Sequence, residues 1–328
     1  MRIAIMGAGA IGSLYGGFLK KAGHDVVLIG RPNHMLSISD SGLKVSGVLG
    51  EHTISIEATS NPLDVAAVDY VMITTKTYDT IRAAREAEHL VKTGAKVVVL
   101  QNGLGTERQV AKALGTTAVL RATTCFGAEI VTSGAIEVTG TGITEIGSHY
   151  DENKSAIHEF AAALREAGFQ VTESENIEGV VWTKTIVNCG INPVGALTGL
   201  TNGEIHSNPA LRGLVVKLVE ETVRVVEALG VELTTDDPVR YTLGTAKATG
   251  NNINSMLQDI RAMKRTEIES ITGAVIRIGR ELGIPTPASE SVYALVRALE
   301  SKYLPEDDLK RDKPSLYTEE LVRAMTES

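Results

Sequence analysis

The chain has 328 residues, enough for two domains, and an ordinary globular balance of 43% hydrophobic and 22% charged residues. Its formal net charge of −8 argues against a nucleic-acid backbone or an anionic membrane surface as partner. The sequence has no apolar run of the ~18 residues that a membrane-spanning helix needs. The two cysteines, Cys125 and Cys189, give no disulfide framework, and the seven histidines show no HxxxH or HExxH spacing. A reducing, cytoplasmic setting without a metal site is therefore expected. The first residues, MRIAIM, read as a strand rather than a secretion signal.

From the start of the chain, short β-rich runs alternate with helical patterns. Strands are expected at 2–6, 25–29, 70–74, 96–100 and 118–123, with helices such as 11–22 and 79–91 between them. That alternation predicts βαβ units, hence a Rossmann-like, doubly wound and mainly parallel sheet. Runs 135–139 and 143–146 flank Gly140-Thr141-Gly142 and read as a β-hairpin. A helix at 155–167 and a strand at 169–172 complete a first domain, 1–175. Beyond it the pattern is helical, at 177–198, 208–229, 236–249, 255–282 and 287–302, so an all-α second domain is expected over 176–328. The charged run 306–313 reads as a solvated loop before a short terminal helix.

Gly7-Ala8-Gly9-Ala10-Ile11-Gly12 is a G-x-G-x-x-G between the first strand and the first helix. The first glycine permits the tight turn and the second lets backbone approach a pyrophosphate. The third lets helix pack on strand, and helix amides then face the anion. At the end of the second strand, where an NAD site usually places an acid, stands Arg31. A guanidinium there can pair with a 2′-phosphate, so NADP is favoured over NAD. Lys76, after the third strand, Asn102 in Gln101-Asn102-Gly103 after the fourth, and Ala128 after the fifth fall on the same carboxyl edge.

In the second domain, Lys184, Asn188 and Asn192 are spaced i, i+4, i+8 in an otherwise apolar helix, VVWTKTIVNCG. They form one drifting polar stripe. A lysine held there can act as a proton donor near neutral pH. The alternative is a core helix whose amides satisfy nearby backbone and whose lysine reaches solvent. On the expected helix 255–282, Ile260, Met263, Ile271, Ala274 and Ile278 share a face with Glu267 near its middle. That carboxylate either lines a cleft or pairs internally with Lys264. Ser255 and Gln258 match a capping pattern, which makes Ser255 an N-cap, a substrate donor, or both.

Together these segments resemble the ketopantoate reductase family over nearly the whole chain. The resemblance rests on GAGAIG near residue 7, QNG at 101–103, WTKTIVNCGINP at 182–193, TNGEI at 201–205 and SMLQDIRAMKRTEIE at 255–269. It implies Lys184 as catalytic acid and Glu267 as a second catalytic residue. It further implies Asn102, Asn188, Asn192, Asn202 and Ser255 as substrate ligands beside Lys184. NADPH would lie against Gly7, Ala8, Gly9, Ala10, Ile11, Gly12, Arg31, Lys76, Asn102, Ala128 and Glu267. Thr183, Cys125-Phe126 and the charged extension beyond about residue 303 depart from the family pattern.

The expected activity is reduction of 2-dehydropantoate to (R)-pantoate, on the way to pantothenate and coenzyme A, with a small 2-oxo acid as partner. Whether Glu267 bonds the substrate hydroxyl or positions Lys184 stays open. Alternatives are a reductase of another 2-oxo or 3-oxo acid, and a non-catalytic NADPH-binding sensor. The sequence leaves the oligomeric state open, a homodimer among the options.

Overall fold

The computed structural model describes residues 1–310 and Val322. The chain forms two compact units, one of residues 1–101 and 105–177, the other of residues 102–104 and 178 onward.

The first unit carries twelve strands among the described residues: β1 (Arg2–Met6), β2 (Asp25–Ile29), β3 (Leu43–Gly47), β4 (His52–Ile54), β5 (Glu57–Thr59), β6 (Tyr70–Ile73), β7 (Lys96–Val99), β8 (Val119–Thr124), β9 (Gly127–Thr132), β10 (Ala135–Gly140), β11 (Ile143–Gly147) and β12 (Gln170–Glu173). Eight of them form one sheet in the order β12-β11-β8-β7-β6-β1-β2-β5. Its strands are parallel from β5 through β8, and β11 runs antiparallel to β8. The doubly wound α/β expectation holds. Successive residues of β1 point to opposite faces, and both faces are covered. Ile3 and Ile5 join Leu14, Leu19 and Phe160 on one side, while Ala4 and Met6 join Val71, Val99 and Val110 on the other. Burial on both faces is what makes these strands read as continuous apolar runs.

Three local expectations are corrected. The expected hairpin at Gly140-Thr141-Gly142 is a crossing between sheets. β10 pairs with β9 and β3 in a second, four-stranded sheet, whereas β11 pairs with β8 and β12 in the large one. Gly142 is there because a Cβ would come within 2.8 Å of the Cys125 backbone. The real hairpin joins β9 to β10 through Ser133-Gly134, with Gly134 at φ +80°, a conformation glycine adopts without steric cost. The strands β3, β4, β5 and β9 were not anticipated; β4 and β5 have only three residues each and so no readable alternation. The expected helix 79–91 is two helices, Thr80–Glu86 and Glu88–Lys92, either side of Ala87.

The helical unit contains Ile177–Thr198, Asn202–Ser207, Pro209–Ala228, Pro238–Ala248, Ser255–Arg261, Thr272–Glu281, Pro287–Glu300 and Glu306–Lys310. Three of these begin with proline, whose missing N–H would have no helical partner at that position anyway. Glu221, 4% exposed, caps the last of the three, accepting from the Ala288 and Ser289 backbone N–H groups at 2.8 Å each.

The expected single helix 255–282 is interrupted. Met263 adopts φ +50° and is 69% exposed, and residues 262–271 form an irregular connection. The shared-face argument for Glu267 therefore fails, although Glu267 is buried. Glu306–Lys310 is helical rather than a loop, and the expected terminal helix beyond it lies outside the described residues. No helix among the described residues is long and apolar enough to cross a membrane.

A buried ionic network stiffens the first unit. Glu107 accepts from or pairs with His149 Nε2 at 3.0 Å and faces Arg121 Nε at 3.6 Å. Arg121 donates to Thr106 Oγ1 at 2.6 Å and to the Gln101 carbonyl at 2.8 Å. Burial alone would raise the Glu107 pKa, but the His149 hydrogen bond and the Arg121 charge outweigh it and lower it from 4.5 to about 2. A carboxyl whose folded pKa is depressed adds stability above its unfolded pKa and loses it as pH falls through the folded one. Stability to urea should therefore decline between pH ~5 and ~2 partly through this group. Glu107→Gln should be less stable at neutral pH and show a shallower decline. An unchanged pH dependence in that variant would show that the network does not couple folding to protonation.

Candidate active site

The glycine turn of the first unit is built as the sequence suggested. Gly7 and Ala8 both donate to the Ile29 carbonyl at 2.9 Å, which folds the turn over the end of β2. Gly7 sits at φ +91°, and a Cβ there would lie 2.4 Å from Thr75 Cγ2. A Cβ on Gly12 would meet Thr74 Oγ1 at 2.4 Å. Gly9 differs, with nothing nearer than the Gly7 carbonyl at 3.8 Å. The backbone can thus be approached at Gly9, where helix Ala10–Lys21 begins with no side-chain cap and no acid in its first turn. Uncapped helix amides at a glycine turn are suited to a pyrophosphate. Beside this turn the buried Thr75 Oγ1 has no hydrogen-bond partner among the described residues. The order β6-β1-β2 makes β1 the point where strand order reverses, the usual ligand position in such sheets. The residues present therefore fit a dinucleotide.

Arg31 directly follows β2 as the extended N-cap of helix Pro32–Ser41. It is exposed, and its guanidinium makes no hydrogen bond or ion pair among the described residues. Lys76 ends the segment after β6 at the start of a 3-10 turn, Thr77–Asp79, and is half-buried. Ala128 corrects an expectation: it lies in strand β9, paired with Val138, rather than in a loop, and packs partly against the core.

In the helical unit, Ile177–Thr198 is buried along almost its whole length. Between Val180 and Ala196 only Lys184, Val187 and Asn188 are partly open. The first two residues of the polar stripe thus lie on the partly open strip, so Lys184 is half-buried rather than fully enclosed, while Asn192 is buried. Neither Asn188 nor Asn192 makes a side-chain hydrogen bond among the described residues, although Asn192 is only 5% exposed. This speaks against amides that merely satisfy neighbouring backbone. Trp182 and Cys189 face the core. Burial pushes the Cys189 thiol up to about 12, against weaker opposing hydrogen bonds from Thr272 and Thr222, so it packs as an inert group.

Glu267 is brought to this helix by its neighbours. Ile268 clusters with Ala196 and Met256, and Thr272 lies 3.9 Å from Cys189 Sγ. Asn102 donates to Glu267 Oε2 at 3.2 Å. The residue after it, Gly103, has φ +89°, and a Cβ there would be 2.6 Å from the Ser270 carbonyl. Only glycine lets the QNG segment lie this close to the Glu267 turn.

Ser255 is the first residue of its helix and half-buried. The N-cap is Asn254, whose side chain accepts from Leu257 N–H at 3.1 Å, so the capping expectation for Ser255 is corrected. A Cβ on Gly195 would lie 2.0 Å from Asn254 Nδ2, so this cap is seated on helix Ile177–Thr198 and brings Ser255 with it. Asn202 is mostly tied to the fold. Its amide donates to Thr249 Oγ1 at 2.9 Å and its backbone N–H to the Asn252 carbonyl at 3.1 Å, while its buried Oδ1 has no partner among the described residues.

Thr266, Glu300 and Asn254 escaped the sequence reading. Their partners are distant in sequence, and the helical period assigned to 255–282 concealed the break. Gly195 inside an apolar helix was the available signal of close packing.

Comparison with known proteins identifies the family. The family description "Ketopantoate reductase PanE/ApbA" matches residues 3–151, and its C-terminal counterpart matches residues 176–300. A 2-dehydropantoate 2-reductase of Pyrococcus abyssi is 36% identical over 305 residues, covering 92% of this chain and 98% of the relative. The crystal structure of a PanE/ApbA family ketopantoate reductase from Ralstonia eutropha JMP134 superposes with a TM-score of 0.86 at 33% identity, over 92% of this chain and 99% of that one. A ternary structure of D-mandelate dehydrogenase with NADH and anilino(oxo)acetate superposes with the same TM-score, 0.86, at 26% identity, over 92% of this chain and 99% of that one. With family matches over both units and relatives of this identity across nearly their full length, the chain belongs to the ketopantoate reductase family.

Proposed function

We propose that the protein reduces 2-dehydropantoate to (R)-pantoate with NADPH, a step toward pantothenate and coenzyme A. The observation that carries this reading is the stripe of partly open Lys184 and Asn188 leading to buried Asn192, whose two amides make no side-chain hydrogen bond among the described residues. The first unit, near 1–175, serves as the cofactor domain and the helical unit, near 176–328, as the substrate domain. The small-molecule reading fits a chain with no membrane-spanning helix among its described residues; we place it in the cytoplasm, and a homodimer is compatible with it.

Bound NADPH would supply hydride chemistry at the C2 carbonyl carbon of the substrate. The Gly7–Gly12 turn would hold its pyrophosphate through backbone amides, Arg31 would pair with the 2′-phosphate, and Lys76 would add positive charge. Lys184 donates a hydrogen bond to the C2 oxygen and then the proton that neutralises the forming alkoxide. Asn188 and Asn192 offer amide donors and acceptors to the substrate's hydroxyl and carboxylate ends, and Ser255 adds a hydroxyl at its helix start. Glu267, oriented by Asn102, accepts from the substrate hydroxyl. Asn202 contributes through its unpaired Oδ1 or only by holding the 249–252 turn. A non-catalytic NADPH sensor would have no use for a half-buried lysine beside two unpaired amides. A second reading, reduction of a different 2-oxo acid, is favoured by the likeness to D-mandelate dehydrogenase. NADPH and NADH oxidation with ketopantoate, ketoisovalerate, 2-oxoglutarate and the 2-oxo acid of mandelate separates the two. A preference for ketopantoate by kcat/KM supports the first, and a preference for another acid refutes it.

Arg31→Ala should weaken NADPH binding at least ~10-fold, because charge-assisted bonds contribute roughly 1.5–3 kcal/mol each. NADH use should change little. Equal weakening of both cofactors would make Arg31 a structural residue.

Lys184→Ala should lower kcat at least ~10²-fold, as loss of a positioned general acid does, while NADPH affinity stays near normal. Folded, cofactor-binding Lys184→Ala protein with near-normal kcat would remove the lysine from the chemistry.

A further inference from the structure

Glu267 lies in an irregular segment, yet its backbone is held on both sides. Thr266 and Ile268 flank it, and both are tied to one acceptor system. Glu300, at the end of helix Pro287–Glu300, is 0% exposed. Its Oε1 accepts from the Thr266 backbone N–H at 2.7 Å and from Thr266 Oγ1 at 2.8 Å. Its Oε2 accepts from Arg297 at 2.8 Å. Because the Thr266 hydroxyl donates its proton to Glu300, an oxygen lone pair is left to accept from the Ile268 backbone N–H at 3.2 Å.

The polarity of this chain runs one way. A carboxylate only accepts, so it sets the direction of the Thr266 hydroxyl, which then secures Ile268. Two backbone N–H groups that no helix satisfies are thereby paired, one residue before and one after Glu267. We infer that Glu300 is a positioning residue, acting through Thr266 to aim the Glu267 carboxylate at the substrate. The inference rests on the proposed role of Glu267. A glutamine at 300 would have to turn its NH2 toward either Thr266 or the Arg297 guanidinium, placing donor against donor. The function of Glu300 therefore needs its charge and not only its shape.

The test compares the full-length Thr266→Val, Thr266→Ser, Glu300→Gln and Glu267→Gln proteins, with Thr266→Val also made in the Glu267→Gln background. Thr266→Val keeps the backbone N–H and the side-chain shape but removes the hydroxyl, so it keeps the test available if Glu300→Gln folds poorly. Sub-ångström misplacement of a reacting group is costly, so kcat/KM for ketopantoate should fall ~10-fold or more in Thr266→Val and Glu300→Gln. The Kd for NADPH should be unchanged, and Thr266→Ser should restore kcat/KM to within ~2-fold of the parent. In the Glu267→Gln background, Thr266→Val should add less than ~2-fold, since coupled groups are non-additive. Wild-type kcat/KM in folded Thr266→Val, or the same fold loss in both backgrounds, would overturn the inference while leaving an impaired Glu267→Gln to uphold the role of Glu267. Wild-type turnover by Glu267→Gln would overturn that role, and the inference with it.

Discussion

Burial of the helix Ile177–Thr198 is the constraint on which the candidate chemistry depends. Its Trp182, Ile186, Cys189, Ile191 and Val194 are at most 3% exposed, so nearly every direction around its axis is closed to polar groups. A lysine and two asparagines can exist on such a helix only where one strip is left open or where partners are supplied. Spacing by four residues keeps Lys184 and Asn188 on that strip and sets buried Asn192 one turn further along the same face. Gly190 and Gly195 allow the close packing that closes the other faces: a Cβ at Gly190 would be 2.9 Å from Val219 Cγ2, and one at Gly195 would strike Asn254. Pro193 cannot donate to the Cys189 carbonyl, which frees one acceptor inside the helix.

The partner carboxylate is carried on irregular backbone, and this has a physical cost that the fold meets with hydrogen bonds. Residues 262–271 lack continuous helical bonding, so most of their buried polar groups must be satisfied individually. Glu300 serves Thr266, the Thr266 hydroxyl serves Ile268, and the Glu267 carbonyl accepts from Ser270 and Ile271. Gly103 completes the arrangement by packing its backbone on Ser270. A group aimed from such a segment is fixed by these five specific bonds more than by helical periodicity, which makes it sensitive to single changes.

In the first unit the corresponding constraint is steric. Two of the three glycines in the motif have no room for a Cβ, while one at Gly9 would meet only the Gly7 carbonyl at 3.8 Å, an ordinary contact. The turn's tightness comes from packing β1, β6 and the first helix together at the reversal of strand order, and the accessibility at Gly9 is what remains for an anion. Arg31 stands at the end of the adjacent strand with no ion pair or hydrogen bond from its guanidinium among the described residues, consistent with a role toward a phosphate rather than in folding.

Periodicity and motif spacing determined much of this from the sequence alone. The parallel sheet was legible because strands buried on both faces must be continuously apolar. The glycine turn was legible because its conformation admits few other residues. The Lys184–Asn188–Asn192 stripe was legible because an α-helix has one period, and family resemblance pointed to Glu267. Tertiary structure decided the rest. The sheet to which β10 belongs depends on pairing with β3, some ninety residues earlier, and no local signal encodes that choice. The break in 255–282 depends on Glu300 and on Met263 adopting a left-handed conformation, which outweigh a helical pattern that is otherwise consistent. Sequence periodicity reports which face of a regular element is buried. The aim of a side chain on irregular backbone is set by bonds to residues far away in the chain, and those exist only once it has folded.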